Sequence, residues 1–147
     1  MGPVVPESGK RYFTREEAER LIPRLHEIMG RILGTQAEVA RLRADLEAAQ
    51  RAVILRGGVR LDQEFWRSRK HRLARGTTEL RSRVGEILGL GATPKDLGMG
   101  LVDFPALLDD REINLCWRFG EQRIRFWHGL DEGYANRKPL PGALGET

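Results

Sequence analysis

From Thr14 onward, apolar residues recur at alternating intervals of three and four: Ala18, Leu21, Leu25, Ile28, Ile32, Thr35, Val39, Leu42, Leu46, Ala49 and Val53. One register held over so many turns predicts a helix about 40 residues and roughly 60 Å long that carries a coiled-coil seam, with Thr35 its polar member. Thr14 and Glu17 have the spacing of a capping box, and Glu16, Glu17 and Glu19 suit the positive end of a helix. Pro23 lies inside this stretch and predicts a kink or the splitting off of the first two turns. Ile22, Met29 and Leu33 widen the apolar stripe in the first half, whereas Gln36, Arg43 and Gln50 flank it in the second. A wide stripe packs into a body and a narrow one suits a two-stranded arm, so residues 15–35 are expected in the body and 36–55 in a projection.

Gly57 and Gly58 break the pattern, and Asp62 is placed to cap a second helix. Its seam reads Trp66, Lys70, Leu73, Thr77, Leu80, Val84 and Ile87, weakened by Lys70, Thr77 and Gly76. Two helices joined by a short glycine turn predict an antiparallel hairpin over 14–88, with its tip near 54–62. Residues 89–100 are rich in glycine and are expected to form a loop. Period-two alternation then predicts three strands, at 101–104 (stopped by Pro105), 112–119 and 123–128, with turns at Asp109-Asp110 and Gly120-Glu121. A two-residue turn at 120–121 pairs Trp117 with Ile124 and Leu115 with Phe126. Residues 129–140 are expected to be a loop over the body, and 1–13 and 141–147 tails. The fold class is α+β: a single domain, 14–140, with a long coiled-coil hairpin and a small three-stranded antiparallel sheet at its base.

Composition narrows the class of protein. Of 147 residues, 40% are hydrophobic and 31% charged, as in globular chains, and no apolar run approaches the length of a membrane span. The start of the chain lacks the charged and apolar regions of a secretory signal. Cys116 is the single cysteine, which excludes an internal disulfide framework and a cysteine-based zinc cluster. A reduced, cytoplasmic protein is the expectation. The net charge is +4 and the pI about 9.7. The positive excess lies in the middle of the chain, where residues 60–89 hold eight basic and four acidic residues. That permits a nucleic-acid partner without requiring one.

The stretch GLVDFPALLDDREINLCWRFGEQRIRFWHGLDEGYANRKPL at 100–140 resembles a bacterial family of unknown function, DUF2203. The opening from Phe13 to Leu25 and the pair Lys95-Asp96 resemble it as well. The resemblance implies no established activity. It does mark a signature cluster: Asp103, Pro105, Cys116, Trp117, Glu121, His128 and Arg137 stand at matching positions. The middle of the chain, roughly 40–88, departs most freely.

Common enzyme signatures are absent, including the P-loop lysine, the nucleophile elbow and the two-histidine zinc helix, and the sequence points to no cofactor. The glycine-rich loop at 89–100 feeds a strand rather than a helix N-terminus, so it reads as structural rather than phosphate-binding. Cys116 and His128 suggest a nucleophile and base, but the preferred register puts them on opposite faces, leaving Cys116 a small buried hydrophobe. His128 with Asp131, Glu132 and either Asp103 or Glu121 offers metal donors. One imidazole is a thin basis for a metal site, and a hydrogen bond from His128 to a carboxylate such as Asp103 is the simpler expectation. The stretch 65–75 begins with Phe65 and Trp66 and carries Arg67, Arg69, Lys70, Arg72 and Arg75 with no acid. Such residues neutralise phosphates and stack on bases, but they also describe a solvated helix face. The leading expectation is a non-enzymatic interaction or scaffold protein that self-associates through its hairpin, as a homodimer or other homo-oligomer. The alternative is a weak nucleic-acid- or ribosome-binding accessory protein using 65–75. A distant third is an enzyme or metal-binding protein using the cluster around His128.

Overall fold

The computed structural model describes residues 11–55 and 62–141. The glycine turn at 57–58 and most of the tip lie outside the described residues, as do the tails at 1–10 and 142–147. Helix α1 spans Arg15–Arg20 and opens with the capping box: the Thr14 hydroxyl accepts from the Glu17 amide at 3.1 Å, and the Glu17 carboxylate accepts from the Thr14 amide at 2.9 Å. Helix α2, Ile22–Leu55, follows after Leu21 alone, with Pro23 in its first turn. Proline has no N–H to offer the Glu19 carbonyl, so the long helix divides there. Residues 11–13 are not a free tail: Phe13 is buried against Phe104, and its amide donates to the Pro105 carbonyl at 2.7 Å.

Helix α3, Gln63–Gly89, starts at Asp62, whose carboxylate caps the Glu64 amide at 3.0 Å. It runs antiparallel to α2. Along α2 the seam is Leu25, Ile28, Ile32, Val39 and Leu42, all buried; beyond Leu42 no residue of the helix is buried. Along α3 the seam differs from the sequence reading. Lys70 and Thr77 are exposed, and Arg69 and Gly76 take their places between Trp66, Leu73, Leu80 and Ile87. A Cβ at Gly76 would lie 2.7 Å from Val39 Cγ2, so the glycine lets α3 pack directly against the Val39 side chain. Gly76→Ala is therefore expected to lose about 1 kcal/mol net, overpacking at a stiff valine outweighing the gain in helix propensity. Val39→Ala in the same chain should restore stability, as read from thermal denaturation by circular dichroism.

The sheet has five antiparallel strands rather than three, in the order β1 (Thr93–Asp96), β2 (Leu101–Leu108), β3 (Arg111–Arg118), β4 (Phe126–His128) and β5 (Lys138–Pro139). β1 and β5 fall in segments expected as loops; they are short and largely solvent-facing, so neither shows an alternating pattern. β2 continues through Pro105. Its carbonyl points away from β3 toward Phe13, so the missing proline N–H lies on that side too and costs the β2–β3 ladder nothing. Asp109 and Asp110, both at positive φ, close the β2–β3 hairpin with a two-residue turn, as expected.

The β3–β4 register corrects the expectation by one residue. Cys116 pairs with Phe126 and Asn114 with His128, because the connection after Arg118 is longer than a two-residue turn. It is held by the Trp117 indole N–H on the Glu121 carbonyl (2.9 Å) and by the Ile124 amide on the Glu19 carboxylate (3.1 Å). Val102, Phe104, Ala106, Ile113, Leu115 and Trp117 face the helices and join Leu25, Ile28, Met29, Ile32 and Ile87 in one core. Phe126 does not share this face with Trp117: it lies on the opposite, outer face with Asp103, Cys116 and His128.

Candidate functional site

The one-residue shift brings together side chains that the sequence reading kept apart. Asp103 and Cys116 are directly paired on β2 and β3, and the His128 side chain reaches over β3 from β4. His128 Nε2 lies 3.0 Å from Asp103 Oδ1, the hydrogen bond expected from the sequence. Donor atoms of Asp103, Cys116 and His128 all lie within 4.8 Å of one another, and all three residues are buried.

The proton count at this pair follows from its partners. His128 Nδ1 lies 2.9 Å from the Gly129 carbonyl, which only accepts, so Nδ1 carries a hydrogen. Nε2 faces a carboxylate oxygen, so one further proton lies between the two side chains. The pair is neutral overall wherever that proton sits. Burial pushes the Asp103 carboxyl above the usual carboxylate range, and its bond to His128 pulls it back. Asp103 Oδ2 is buried without a well-formed hydrogen bond, and the Cys116 thiol beside the carboxyl also lowers its pKa by hydrogen bonding. The Cys116 thiol is pushed up to about 11, first by burial and then by the Asp103 charge, against a hydrogen bond from Arg137. It is a protonated thiol at neutral pH and not an activated nucleophile.

Glu121 and Arg137 stand beside this cluster as a bidentate pair at 3.0 and 3.1 Å. Glu121 also accepts the Arg118 amide at 2.7 Å. The Arg137 guanidinium lies 4.0 Å above the Phe126 ring and 4.6 Å from that of Tyr134. Arg118 donates to the Tyr134 hydroxyl at 3.0 Å. The segment after β4 thus lies over the outer sheet face as the helices lie over the inner one. Sequence reasoning missed Phe126, Tyr134 and the Gly129 carbonyl, because their roles depend on that segment folding back. Trp117 belongs to the core on the other face and touches this network only through Glu121. Asp131 is exposed, and Glu132 instead binds the Gly129 amide and Lys138.

The basic stretch is divided. Arg72 bonds Glu38 at 2.8 Å, and Arg69 lies 3.6 Å from Asp45 and 3.8 Å from the Phe65 ring centre. Arg67, Lys70 and Arg75 are exposed and form no ion pair among the described residues. The stretch faces the part of α2 around Glu38 and Asp45.

Fold and site together define an α+β domain with a projecting helical hairpin and a buried acid–imidazole–thiol cluster on its outer sheet face. The chain belongs to the family of uncharacterized conserved proteins DUF2203, whose model matches residues 11–140. No curated protein and no solved structure matches it. No helix among the described residues is long and apolar enough to cross a membrane.

Proposed function

We propose that the protein acts by binding rather than by catalysis, and that its hairpin arm associates with a second copy of the chain. The observation that supports this is the incompletely covered outer seam. Leu46, Ala49, Val53, Trp66 and Leu73 continue the apolar register, yet each is only half-buried, as is Phe65 beside them, and Ile54 and Leu55 are 70% and 84% exposed. Two helices alone cannot cover a seam of this kind, and a bundle of four can. Leu46→Glu with Val53→Glu, both on the half-buried outer seam, should therefore convert an oligomer to monomer, as measured by light scattering after size-exclusion chromatography. A monomeric parent at tens of micromolar overturns the reading.

A second reading rests on charge. Residues 36–76 hold ten basic and five acidic residues, a net of +5, while the rest of the chain sums to −1. An arm of that charge attracts an acidic partner such as a nucleic acid, through Arg67, Lys70 and Arg75 in particular. Salt separates the two readings. Association of two like-charged arms strengthens as salt screens their repulsion, whereas phosphate binding weakens steeply.

A further inference from the structure

We propose that Asp103, Cys116 and His128 form a three-donor site for a divalent cation of the zinc class. The observation that points to a ligand is Asp103 Oδ2, a carboxylate oxygen on a side chain only 4% exposed that lacks a well-formed hydrogen bond; besides His128, the group that lowers this carboxyl by hydrogen bonding is the Cys116 thiol, itself one of the three donors. A buried carboxylate oxygen left short of hydrogen bonds is costly, and a cation would satisfy it.

The donor set fits this class of ion. One thiolate, one imidazole and one carboxylate are ligands that zinc and its neighbours accept, whereas magnesium and calcium prefer oxygen alone. Tetrahedral zinc at its usual bond lengths holds its donors about 3.3–3.8 Å apart. One donor atom from each of the three residues lies within 4.8 Å of the other two, and His128 Nε2 lies 3.0 Å from the Asp103 carboxylate at Oδ1, so the donors need close by about 1 Å at most around an ion. The imidazole is already oriented to bind: Nδ1 donates to the Gly129 carbonyl, leaving Nε2 as the donor atom, as in metal-bound histidines held by an outer hydrogen bond.

Charge balances as well. Binding displaces the thiol proton and the proton shared by Asp103 and His128. The carboxylate and thiolate then supply two negative charges to a doubly positive ion, so the buried site closes neutral. The neighbouring Arg137–Glu121 pair is itself neutral and stays in place. Three protein donors leave one coordination position for water or a small ligand.

The test uses the untagged full-length chain, stripped with chelator and titrated with Co2+ alone. Cys116 is the only thiol in the chain, so a thiolate-to-cobalt charge-transfer band can arise only there. The expected result is that band at one equivalent, bleached by equimolar Zn2+ and unaffected by excess Mg2+. Cys116→Ser should remove the band, and His128→Gln should weaken cobalt binding at least tenfold while keeping the parent circular-dichroism spectrum. A folded parent chain that gives no band overturns the proposal. So does a band whose affinity is unchanged in His128→Gln. If either variant fails to fold, the parent titration and its competition by Zn2+ and Mg2+ still decide.

Discussion

Trp117→Ala is expected to lower the unfolding free energy by about 3–5 kcal/mol. The indole is fully enclosed, stands edge-on to Phe119 at 6.4 Å and donates its N–H to the Glu121 carbonyl at 2.9 Å. Truncation leaves a cavity between the sheet and α2 and frees the start of the connection to β4. Because that connection sets the β3–β4 register, the damage should extend to the outer face, loosening the contact between Asp103 and His128. For a chain of this size the melting temperature should fall by on the order of 10 °C. Trp117→Phe keeps most of the ring but orphans the carbonyl, so its loss should be smaller. An unchanged melting temperature in Trp117→Ala means that the core is assigned wrongly.

Asp103→Ala, measured with chelator present, should cost a similar amount, about 3–5 kcal/mol. It strands His128 Nε2 at a site where the imidazole is 2% exposed. His128→Ala should be comparably harmful, because it leaves a second oxygen of Asp103 without a well-formed hydrogen bond beside the first. The informative measurement is the double variant Asp103→Ala with His128→Ala. Its loss should fall well short of the sum of the two single losses, since neither side chain remains to be stranded. Additive losses in denaturant titrations mean that the two residues do not act as a pair.

These outcomes bear on different faces of one sheet, and the difference shows what could be read from the chain. The α2 seam was legible because its period repeats over many turns and a helix places those positions on one side whatever the rest does. The Thr14 cap and the Asp109-Asp110 turn were legible for the same reason: each is settled by residues within four positions. The helical break at Pro23 is equally local. In α3 the apolar signal is thin, so periodicity points one position off at Lys70 and Thr77, and only the approach of Val39 makes Gly76 a contact.

By itself, then, the sequence determined the two long helices, their caps, the central hairpin and the identity of the buried aromatic strand, because local hydrogen bonding and periodicity are properties of contiguous residues. Tertiary structure alone decided the β3–β4 register, the strands β1 and β5, and the meeting of Asp103, Cys116 and His128. A strand alternates with period two, so a shift of one residue moves every side chain to the other face. What fixed that shift was an amide at Ile124 reaching a glutamate 105 residues earlier, a contact that no local pattern encodes.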